Sequence, residues 1–544
     1  MEMTQTTSAP RCHATPSLLR RAGAGALIMG LLAVLLSTGT LHAQPNSPKP
    51  ASRPAAAGEA EEPILSPQDD RWANPPPPWS AENAENHLDV VYLPQRIAGG
   101  EQDRFVKLNI HIPKGKGPFP AVFCVHGGGY TGGDKDHIFH GSSSPSRANM
   151  QRLVDGGFVV VNVNYLLGRG IKPQVYWDFR SAVRFIRANA ETYRVDPGRI
   201  GAWGHSAGGW LSGSAGFTTA DDLFTTNVSF ASGRLGQRGD RFRLPFDAPE
   251  PPYPEFSSRL TCIAADFWEN TEFLSPDDPA ILGYTGLGTT HILTDHATRG
   301  RVDFTSLEVQ DPKTRGKNKL HGPNGRALVK GPGFDEPINL TDATHAWLSQ
   351  QLQRAPRTIP PEARPNRRVF TEQALVTLIP ASPDAQIRYT LDGSDPSADS
   401  PRYDGPFTIR SSTTIRAMAI RRGERPSAIT QFRFTLVPQP PVRIVAPQGP
   451  LLPAARVGKP YELTFKASTP DAVFGITGHL DPIRPASPVM DRLPRDPFAL
   501  QFDRSTARLT GTPVAPGLYT IQVFAARSAV EPAEGQAFVL KVEP

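Results

Sequence analysis

The pentapeptide Gly204-His205-Ser206-Ala207-Gly208 contains the side chain best suited to covalent chemistry in this chain. The mostly apolar residues 199–203 precede it and the small residues 209–216 follow it, which predicts a strand, a sharp turn and a helix. That succession is the setting of a GxSxG nucleophile elbow. Glycines flank the serine because its backbone is strained and larger neighbouring side chains would collide. We therefore expect Ser206 Oγ to attack a carbonyl carbon.

A second motif, His126-Gly127-Gly128-Gly129-Tyr130, follows another apolar strand at 119–125. A loop of this type presents backbone N–H groups to an oxyanion, and the residue after the nucleophile presents another. We expect the N–H groups of Gly128, Gly129 and Ala207 to form this oxyanion hole. GxSxG alone is common by chance, but the two motifs in this order are much more specific. Together they predict a serine hydrolase.

These segments resemble the alpha/beta-hydrolase esterases, in the branch of the feruloyl and acetyl esterases and the hormone-sensitive-lipase-like enzymes. The resemblance rests on residues 122–130, 133–135, 178–187 and 195–200, and it covers 85–355. It is strong up to the nucleophile motif and weaker beyond it. It implies an α/β hydrolase fold, a doubly wound, mostly parallel sheet of eight strands with helices on both faces.

The hydrophobic pattern places further elements around the two motifs. Continuous apolar runs are typical of parallel strands covered on both faces, whereas a 3.6-residue period is typical of amphipathic helices. A final helix is expected to begin at Thr341 as its N-cap and to turn Trp347 and Leu348 towards the core. The other predicted elements are strands at 106–112, 119–125, 158–163, 260–265 and 280–284 and a helix at 177–190.

A serine nucleophile needs a histidine to take its proton and a carboxylate to orient that histidine, and the chain order in this fold is serine, acid, histidine. The resemblance implies an acid after the strand at 280–284 and a histidine in a Gly-His-Gly turn before the last helix. We predict Asp295 as the acid, with Asp303 behind it, and His321 as the histidine. Segment 331–335, where the turn is expected, has no histidine.

Other histidines therefore stay open as the base. His291 and His296 lie near the expected acid loop, while His345 is expected to be an ordinary residue of the last helix. His126 and His205 lie inside the two motifs and are expected to be structural. The missing turn also leaves open that the triad is broken.

The chain has 544 residues, which is too long for one core and suggests about three domains with tails. Residues 1–43 read as a secretory signal and 44–84 as a Pro-rich disordered spacer, followed by the esterase domain at 85–355. Beyond the esterase domain, the apolar period changes to two, which predicts two all-β Ig-like sandwich domains at 366–437 and 440–544.

Both C-terminal segments resemble known modules. Residues 366–437 resemble the C-terminal domain of chitobiases and beta-hexosaminidases through the turn at 389–396 and the strand at 413–419. Residues 440–544 resemble an Ig-like domain of bacterial surface proteins through 452–461 and 508–513. The aspartates of the first module could suggest calcium, but aspartates that cap their own turns account for them better.

Composition limits the partners. The 58 Lys and Arg against 52 Asp and Glu give a net charge of +6 without a dense basic stripe, so nucleic acid is not expected. No metal-spaced cluster and no phosphate-binding loop is visible, and we expect no metal and no cofactor. No transmembrane segment beyond the signal is expected, although an uncleaved anchor stays open. Cys124 is expected to be a buried free thiol, and a disulfide with Cys262 is the alternative.

The leading hypothesis is an exported serine carboxylesterase (periplasmic, cell-surface or secreted, in a bacterium) that removes acetyl or feruloyl groups from polysaccharide. The alternative is a catalytically impaired hydrolase scaffold that binds polysaccharide at a surface, with glycan or cell-surface contact through the sandwiches. An exported peptidase is a third hypothesis. Peptidase relatives usually carry an N-terminal propeller, which the segment 44–84 is too short to form.

Overall fold

We describe the protein from a computed structural model. The described residues are 78–93, 106–129, 133–136, 146–166, 172–217, 253–266, 268, 274–285, 290–310, 328–354, 357–365, 368–437, 439–440, 442–449, 451–477, 500–514, 516–527 and 534–544. All of them belong to one unit of the chain, Glu62–Pro544. The predicted signal, most of the predicted spacer and His321 therefore lie outside the described residues.

The domain that contains both sequence motifs is built on one large sheet. Its described strands are β1 (Ala84–Val91), β2 (Lys107–Pro113), β3 (Phe119–Val125), β4 (Val159–Val163), β5 (Val195–Gly204), β6 (Cys262–Ala265), β7 (Ala280–Thr285), β8 (Phe304–Val309), β9 (Leu328–Gly331) and β10 (Phe334–Asn339). Their order is β1-β2-β4-β3-β5-β6-β7-β8-β9-β10. The pairs from β4 through β3 to β8 are parallel, and those at both edges are antiparallel.

Helices cover both faces of this sheet, as expected for a doubly wound α/β hydrolase. The described helices are α1 (Arg147–Asp155), α2 (Lys172–Ala188), α3 (Ala207–Phe217), α4 (Thr290–Gly300) and α5 (Leu340–Gln353). Successive strand residues point to opposite faces, so Phe123 and Cys124 of β3 belong to different cores. The core around Phe123 receives α2, α3 and α4, and the core around Cys124 receives α1 and α5.

One detail of the sheet and one of the last helix correct the predictions. The expected eight strands are extended by β9 and β10, a hairpin that pairs antiparallel to β8. The last helix begins at Leu340 with Asn339 as its N-cap, not Thr341, because Asn339 Oδ1 accepts from Thr341 N at 2.9 Å. Trp347 and Leu348 are buried, as expected.

Residues 79–84 belong to the folded body, although the predicted spacer extended to 84. Ala81 is buried, and the Trp79 ring lies 4.5 Å from the ring of buried His111. The difference arises because Trp79 and Ala81 find an apolar surface beside β1 that the proline-rich composition did not indicate. Cys124 and Cys262 are both buried and free, which confirms the free-thiol prediction. Burial raises the pKa of both thiols.

The first C-terminal domain is an all-β sandwich around its own apolar core. Its sheets have the orders β11-β13-β15 and β12-β17-β16-β14. Its strands are β11 (Glu362–Arg364), β12 (Val369–Phe370), β13 (Ala374–Ile379), β14 (Gln386–Thr390), β15 (Phe407–Ile409), β16 (Thr413–Ile420) and β17 (Thr430–Leu436). In the turn after β14, Asp392 Oδ1 accepts from Ser394 N at 3.0 Å, which is the capping role expected for its aspartates.

This sandwich meets the α/β domain at the amino ends of β6 and β7, and a buried carboxylate lies at the contact. Glu362 Oε1 accepts from Ser258 N at 2.7 Å and from Ser257 Oγ at 3.0 Å. Its Oε2 accepts from Arg364 at 2.9 Å and lies 3.7 Å from the guanidinium of buried Arg184. Burial alone would raise the pKa of Glu362, but the charges of Arg364 and Arg184 hold it well below its ordinary value.

The second C-terminal domain is also all-β, with a separate apolar core. Its sheets have the orders β19-β26-β25-β22, β20-β24-β23 and β18-β21. Its strands are β18 (Ile444–Ala446), β19 (Ala455–Arg456), β20 (Tyr461–Thr464), β21 (Lys466–Ala467), β22 (Val473–Thr477), β23 (Gln501–Asp503), β24 (Arg508–Gly511), β25 (Gly517–Ala526) and β26 (Glu534–Glu543). None of the helices in the described part of the chain has the length and apolarity needed to span a bilayer.

Candidate active site

Ser206 lies in the sharp turn between the end of β5 at Gly204 and the start of α3 at Ala207. Its φ is 51°, in the left-handed region, which costs a non-glycine residue about 1–2 kcal/mol. The turn is closed by backbone bonds from Gly208 N to His205 O at 2.8 Å and from Trp210 N to Ser206 O at 3.0 Å. This is the strained elbow that the GxSxG pattern predicts.

The flanking glycines are required by close packing of the elbow. A Cβ at Gly208 would lie 2.2 Å from the carbonyl oxygen of Val125, and a Cβ at Gly204 would lie 2.3 Å from that of Gly208. Real Cβ atoms do not approach backbone oxygens so closely. The first turn of α3 is therefore pressed against the end of β3, where the glycine-rich loop begins.

That loop reaches the serine directly. A Cβ at Gly127 would lie 3.1 Å from Ser206 Cβ, so the loop backbone passes beside Ser206. Gly128 and Gly129 have φ values of 120° and 62°, which favour glycine. Ala207 is the first residue of α3, where N–H groups have no partner within the helix. The candidate donors Gly128, Gly129 and Ala207 thus lie on the two backbone segments that meet at Ser206.

His126 supports the glycine-rich loop. Its ring stacks on the Tyr165 ring with centroids 4.4 Å apart, and Tyr165 Oη donates to His126 O at 2.7 Å. His126 Nδ1 bonds to Gly127 O at 2.7 Å. Gly133 closes over the ring, since a Cβ there would lie 2.4 Å from His126 Nδ1. The structural role expected for His126 agrees with these contacts.

The chain that leaves the loop is anchored by a polar network. Asp134 Oδ2 accepts from Asn164 Nδ2 at 2.9 Å, and Asp136 Oδ1 accepts from Asn109 Nδ2 at 2.7 Å. Lys135 Nζ pairs with Asp136 and, at 2.8 Å, with Asp89. Burial would lower the pKa of Lys135, but these carboxylates hold it above its ordinary value. The network fixes the segment that follows the oxyanion loop.

His205 faces a buried carboxylate that the sequence analysis did not single out. Asp266 follows β6, the neighbour of β5, and its side chain is fully buried. Its Oδ2 lies 2.6 Å from His205 Nδ1, and its Oδ1 accepts from Ser206 N at 2.9 Å. Burial would lower the pKa of His205, but the charge and hydrogen bond of Asp266 raise it. An acidic residue at the carboxyl end of the strand beside the nucleophile strand was the signal available.

The predicted acids lie elsewhere in the fold than expected. Asp295 lies within helix α4, not in a loop after β7. Asp303 is exposed just before β8, where its carbonyl accepts from Ile281 N at 2.8 Å. Ile281 lies near the start of β7, so Asp303 lies at the amino edge of the sheet, opposite to Ser206. Asp295 as the acid that orients the histidine stays a prediction. The alternative acid, Asp303, is wrong, because it lies at the opposite edge of the sheet from Ser206.

The histidine that completes the site stays a prediction. His321 lies outside the described residues, while His291 and His296 lie on α4. His345 lies on α5 with its ring edge-on to that of Phe158, which precedes β4 at the amino edge of the sheet. Burial and the charge of Arg152 lower the pKa of His345. Among the described residues, no group of three or more His, Cys, Asp or Glu could hold a metal ion.

Two family models match the chain. The model described as BD-FAE matches residues 108–237, which contain both motifs of the candidate site. The model described as chitobiase/beta-hexosaminidase C-terminal domain matches residues 365–431. The second match lies over strands of the first sandwich, β12 to β17.

Curated relatives also match part of the chain. Arylacetamide deacetylase of Bos taurus is 33% identical over 122 residues, 22% of this chain and 29% of that protein. The probable carboxylic ester hydrolase LipM of Mycobacterium tuberculosis is 32% identical over 120 residues, 22% of this chain and 26% of that protein. Fumonisin B1 esterase of Sphingopyxis macrogoltabida is 28% identical over 165 residues, 25% of this chain and 29% of that protein. The chain thus spans less than a third of the length of each of these relatives.

Solved structures are also similar to the chain. A truncated carbohydrate esterase from gut microbiota covers 51% of this chain and 99% of its own at 17% identity, with a TM-score of 0.36. An acetyl ester-xyloside bifunctional hydrolase from Caldicellulosiruptor lactoaceticus covers 46% of this chain and 91% of its own at 17% identity, with a TM-score of 0.32.

Proposed function

Because the chain carries an alpha/beta-hydrolase esterase domain of the BD-FAE type, we propose that it is a serine carboxylesterase with Ser206 as its nucleophile. One observation carries the proposal. Ser206 is held at a φ of 51° between β5 and α3, and the glycine-rich loop passes beside its Cβ at Gly127. A tight turn without chemistry would not need to place a strained serine against a loop of backbone N–H groups.

The proposed reaction proceeds through an acyl-enzyme. A histidine, His321 in our prediction, takes the Ser206 hydroxyl proton while Oγ bonds to the ester carbonyl carbon. The N–H groups of Gly128, Gly129 and Ala207 bind the carbonyl oxygen as it becomes negative. The carbon–oxygen bond to the alcohol breaks, and the alcohol leaves with that proton. Water then attacks the acyl-enzyme in the same way and releases the acid, while Asp295 is proposed to orient the histidine.

We further propose that the substrate is an acylated polysaccharide bearing acetyl or feruloyl groups, and that the protein is exported. Two features support this. The first sandwich matches the family model described as chitobiase/beta-hexosaminidase C-terminal domain, and residues 1–43 resemble a secretory signal. Curated relatives named as deacetylases and esterases fit the same chemistry. The two sandwiches are proposed to contact glycan or the cell surface.

The test of the nucleophile is Ser206→Ala in the full chain. Turnover of p-nitrophenyl acetate should fall by at least about 10⁴-fold, because the covalent step disappears. A fluorophosphonate should label the wild type and not the variant. Ser181→Ala is the matched control, since Ser181 is a buried serine on α2 whose Oγ donates to Trp177 O at 2.8 Å. Unchanged turnover in Ser206→Ala would reject the assignment.

A second candidate function is a polysaccharide-binding scaffold without hydrolysis. The observation that favours it is segment 331–335, which forms the hairpin turn between β9 and β10 and contains no histidine. Wild-type protein that neither turns over ester nor reacts with fluorophosphonate, but sediments with insoluble glycan, would establish this function. Hydrolysis by the wild type together with retention of Ser206→Ala on glycan would establish an esterase that also binds its polymer.

A further inference from the structure

The carboxylate of Asp266 contacts the nucleophile turn at two points. Oδ1 accepts from the backbone N–H of Ser206 at 2.9 Å, and Oδ2 bonds to His205 Nδ1 at 2.6 Å. The Asp266 side chain is fully buried, and that of His205 is nearly so. Both contacts are made to consecutive residues of the turn, so the carboxylate spans the point at which the chain changes direction.

The backbone N–H of Ser206 is not part of a regular element of secondary structure. Ser206 lies between β5 and α3, so its N–H belongs neither to the sheet ladder nor to the helix. A residue held at positive φ reverts to an ordinary conformation unless its surroundings determine it. A charged acceptor forms a stronger hydrogen bond with an N–H than a neutral one does. Asp266 thus supplies a fixed acceptor for the backbone N–H of Ser206, whose direction depends on the conformation of this strained residue.

We propose that Asp266 is a positioning residue that holds Ser206 in its strained conformation and so aims Oγ at the acyl carbon. The inference rests on the proposed function, since it concerns the geometry of that nucleophile. His205 takes part as the donor to Oδ2, which keeps the carboxylate from rotating away from Ser206 N. The contact also leaves the oxyanion hole to Gly128, Gly129 and Ala207, because the N–H of Ser206 is committed to Asp266.

The consequence concerns the rate of attack and not the binding of ester. A displacement of about 1 Å at a reacting atom can cost about 10²-fold in rate. Asp266→Ala removes both contacts and should lower kcat for p-nitrophenyl acetate by about 10²-fold with KM changed less than about 2-fold. Asp266→Asn keeps an oxygen for Ser206 N but loses the charge, and should lower kcat by about 10-fold.

The deciding measurement is fluorophosphonate labelling of the full chain, followed as both rate and final amplitude. Misaimed serine reacts slowly but completely, so the variants should reach wild-type amplitude at rates reduced by the same factors as kcat. Protein that is merely unfolded gives a lower amplitude at an unchanged rate. Asp277→Asn is the matched control, because Asp277 is a buried acid at the opposite edge of the sheet, paired with Arg259 at 3.0 Å. It should label at the wild-type rate.

The outcomes separate this inference from the proposed function. Labelling of wild-type Ser206 together with wild-type rates in both Asp266 variants would overturn the positioning role and leave the esterase intact. A reduced amplitude at unchanged rate in Asp266→Ala would also overturn it. Should Asp266→Ala fail to fold, the isosteric Asp266→Asn decides the question in the same way. A wild type that neither labels nor hydrolyses would overturn the proposed function, and the inference with it.

Discussion

The two ends of the parallel strands in the main sheet each bury a carboxylate, and the two carboxylates connect different parts of the protein. At the carboxyl end, Asp266 accepts from the backbone of Ser206 and from His205. At the amino end, Glu362 of the first sandwich accepts from residues of the catalytic domain and pairs with Arg184. The comparison teaches that one buried charge can fix a strained turn while another joins two domains.

The same comparison predicts where each change should be felt. Contacts at the carboxyl end involve the residues around Ser206, the proposed nucleophile, so losing them should alter the rate of reaction. Contacts at the amino end are separated from Ser206 by most of the length of β5, Val195–Gly204. Losing them should alter the free energy of unfolding and leave the rate of folded protein unchanged. Glu362→Ala and Thr430→Val test this division, and His111 tests a buried group in β2.

The largest effect on stability is expected from Glu362→Ala. The guanidinium groups of Arg184 and Arg364 would remain buried without their carboxylate, and breaking a buried pair in this way costs about 3–5 kcal/mol. Urea unfolding should show this loss, and kcat per folded molecule should equal that of the wild type. Asp395→Ala, which removes an exposed partner of Arg416, should cost less than about 1 kcal/mol. A lowered kcat in stable Glu362→Ala protein would show that the two ends are coupled.

An intermediate effect on the free energy of unfolding is expected when the pH is lowered, because His111 in β2 is buried and uncharged. Burial and the charge of Lys135 lower the pKa of His111 from 6.5 to about 3. Below pH 6.5, His111 binds a proton in the unfolded chain but not in the folded protein. Protonation therefore stabilises the unfolded chain, and the free energy of unfolding decreases as the pH falls. At pH 5 the loss is about 2 kcal/mol.

The measurement is the free energy of unfolding between pH 7 and pH 4, compared with His111→Phe. The variant should lack this part of the acid dependence, because it has no group to protonate. Its ring should retain the contact with Trp79. Equal slopes for both proteins would mean that His111 takes up protons in the folded state.

The smallest effect is expected from Thr430→Val in the first sandwich. Thr430 Oγ1 donates to Asp277 Oδ2 at 2.8 Å across the amino end, beside the pair of Asp277 with Arg259. Loss of one such bond costs about 1 kcal/mol. Thr430→Ser should retain the bond and most of the stability, and both variants should keep the wild-type rate of fluorophosphonate labelling. A rate change in Thr430→Val alone would contradict the division between the two ends.

The sequence predicted the parts of the site that are continuous in the chain. Ser206, its glycines and the loop at Gly128 and Gly129 are local patterns whose backbone requirements can be read from residue type. Strand β3 was predicted at its observed bounds because it is apolar on both faces. These elements needed no knowledge of distant contacts.

The parts that depend on distant contacts were missed or placed wrongly. Asp266 is 60 residues from Ser206 in sequence and meets it only because β6 pairs with β5. The role of Glu362 depends on the docking of a second domain, which no local pattern encodes. Asp295 was expected in a loop because the pattern after β7 did not indicate the helix that starts at Thr290. Thr341 was predicted as the N-cap two residues after the observed one, Asn339, because a hydrophobic pattern does not resolve the start of a helix to within two residues.

The absence of room at Gly127, Gly204 and Gly208 sets a limit on how this catalyst can be altered in the laboratory. A methyl group at any of the three would meet a neighbouring backbone oxygen at 3.1 Å or less. Libraries that aim at new acyl preferences should therefore keep these three codons fixed and vary residues whose side chains already occupy space. Selection for new substrates would then act on those side chains, while the backbone around Ser206 is inherited unchanged.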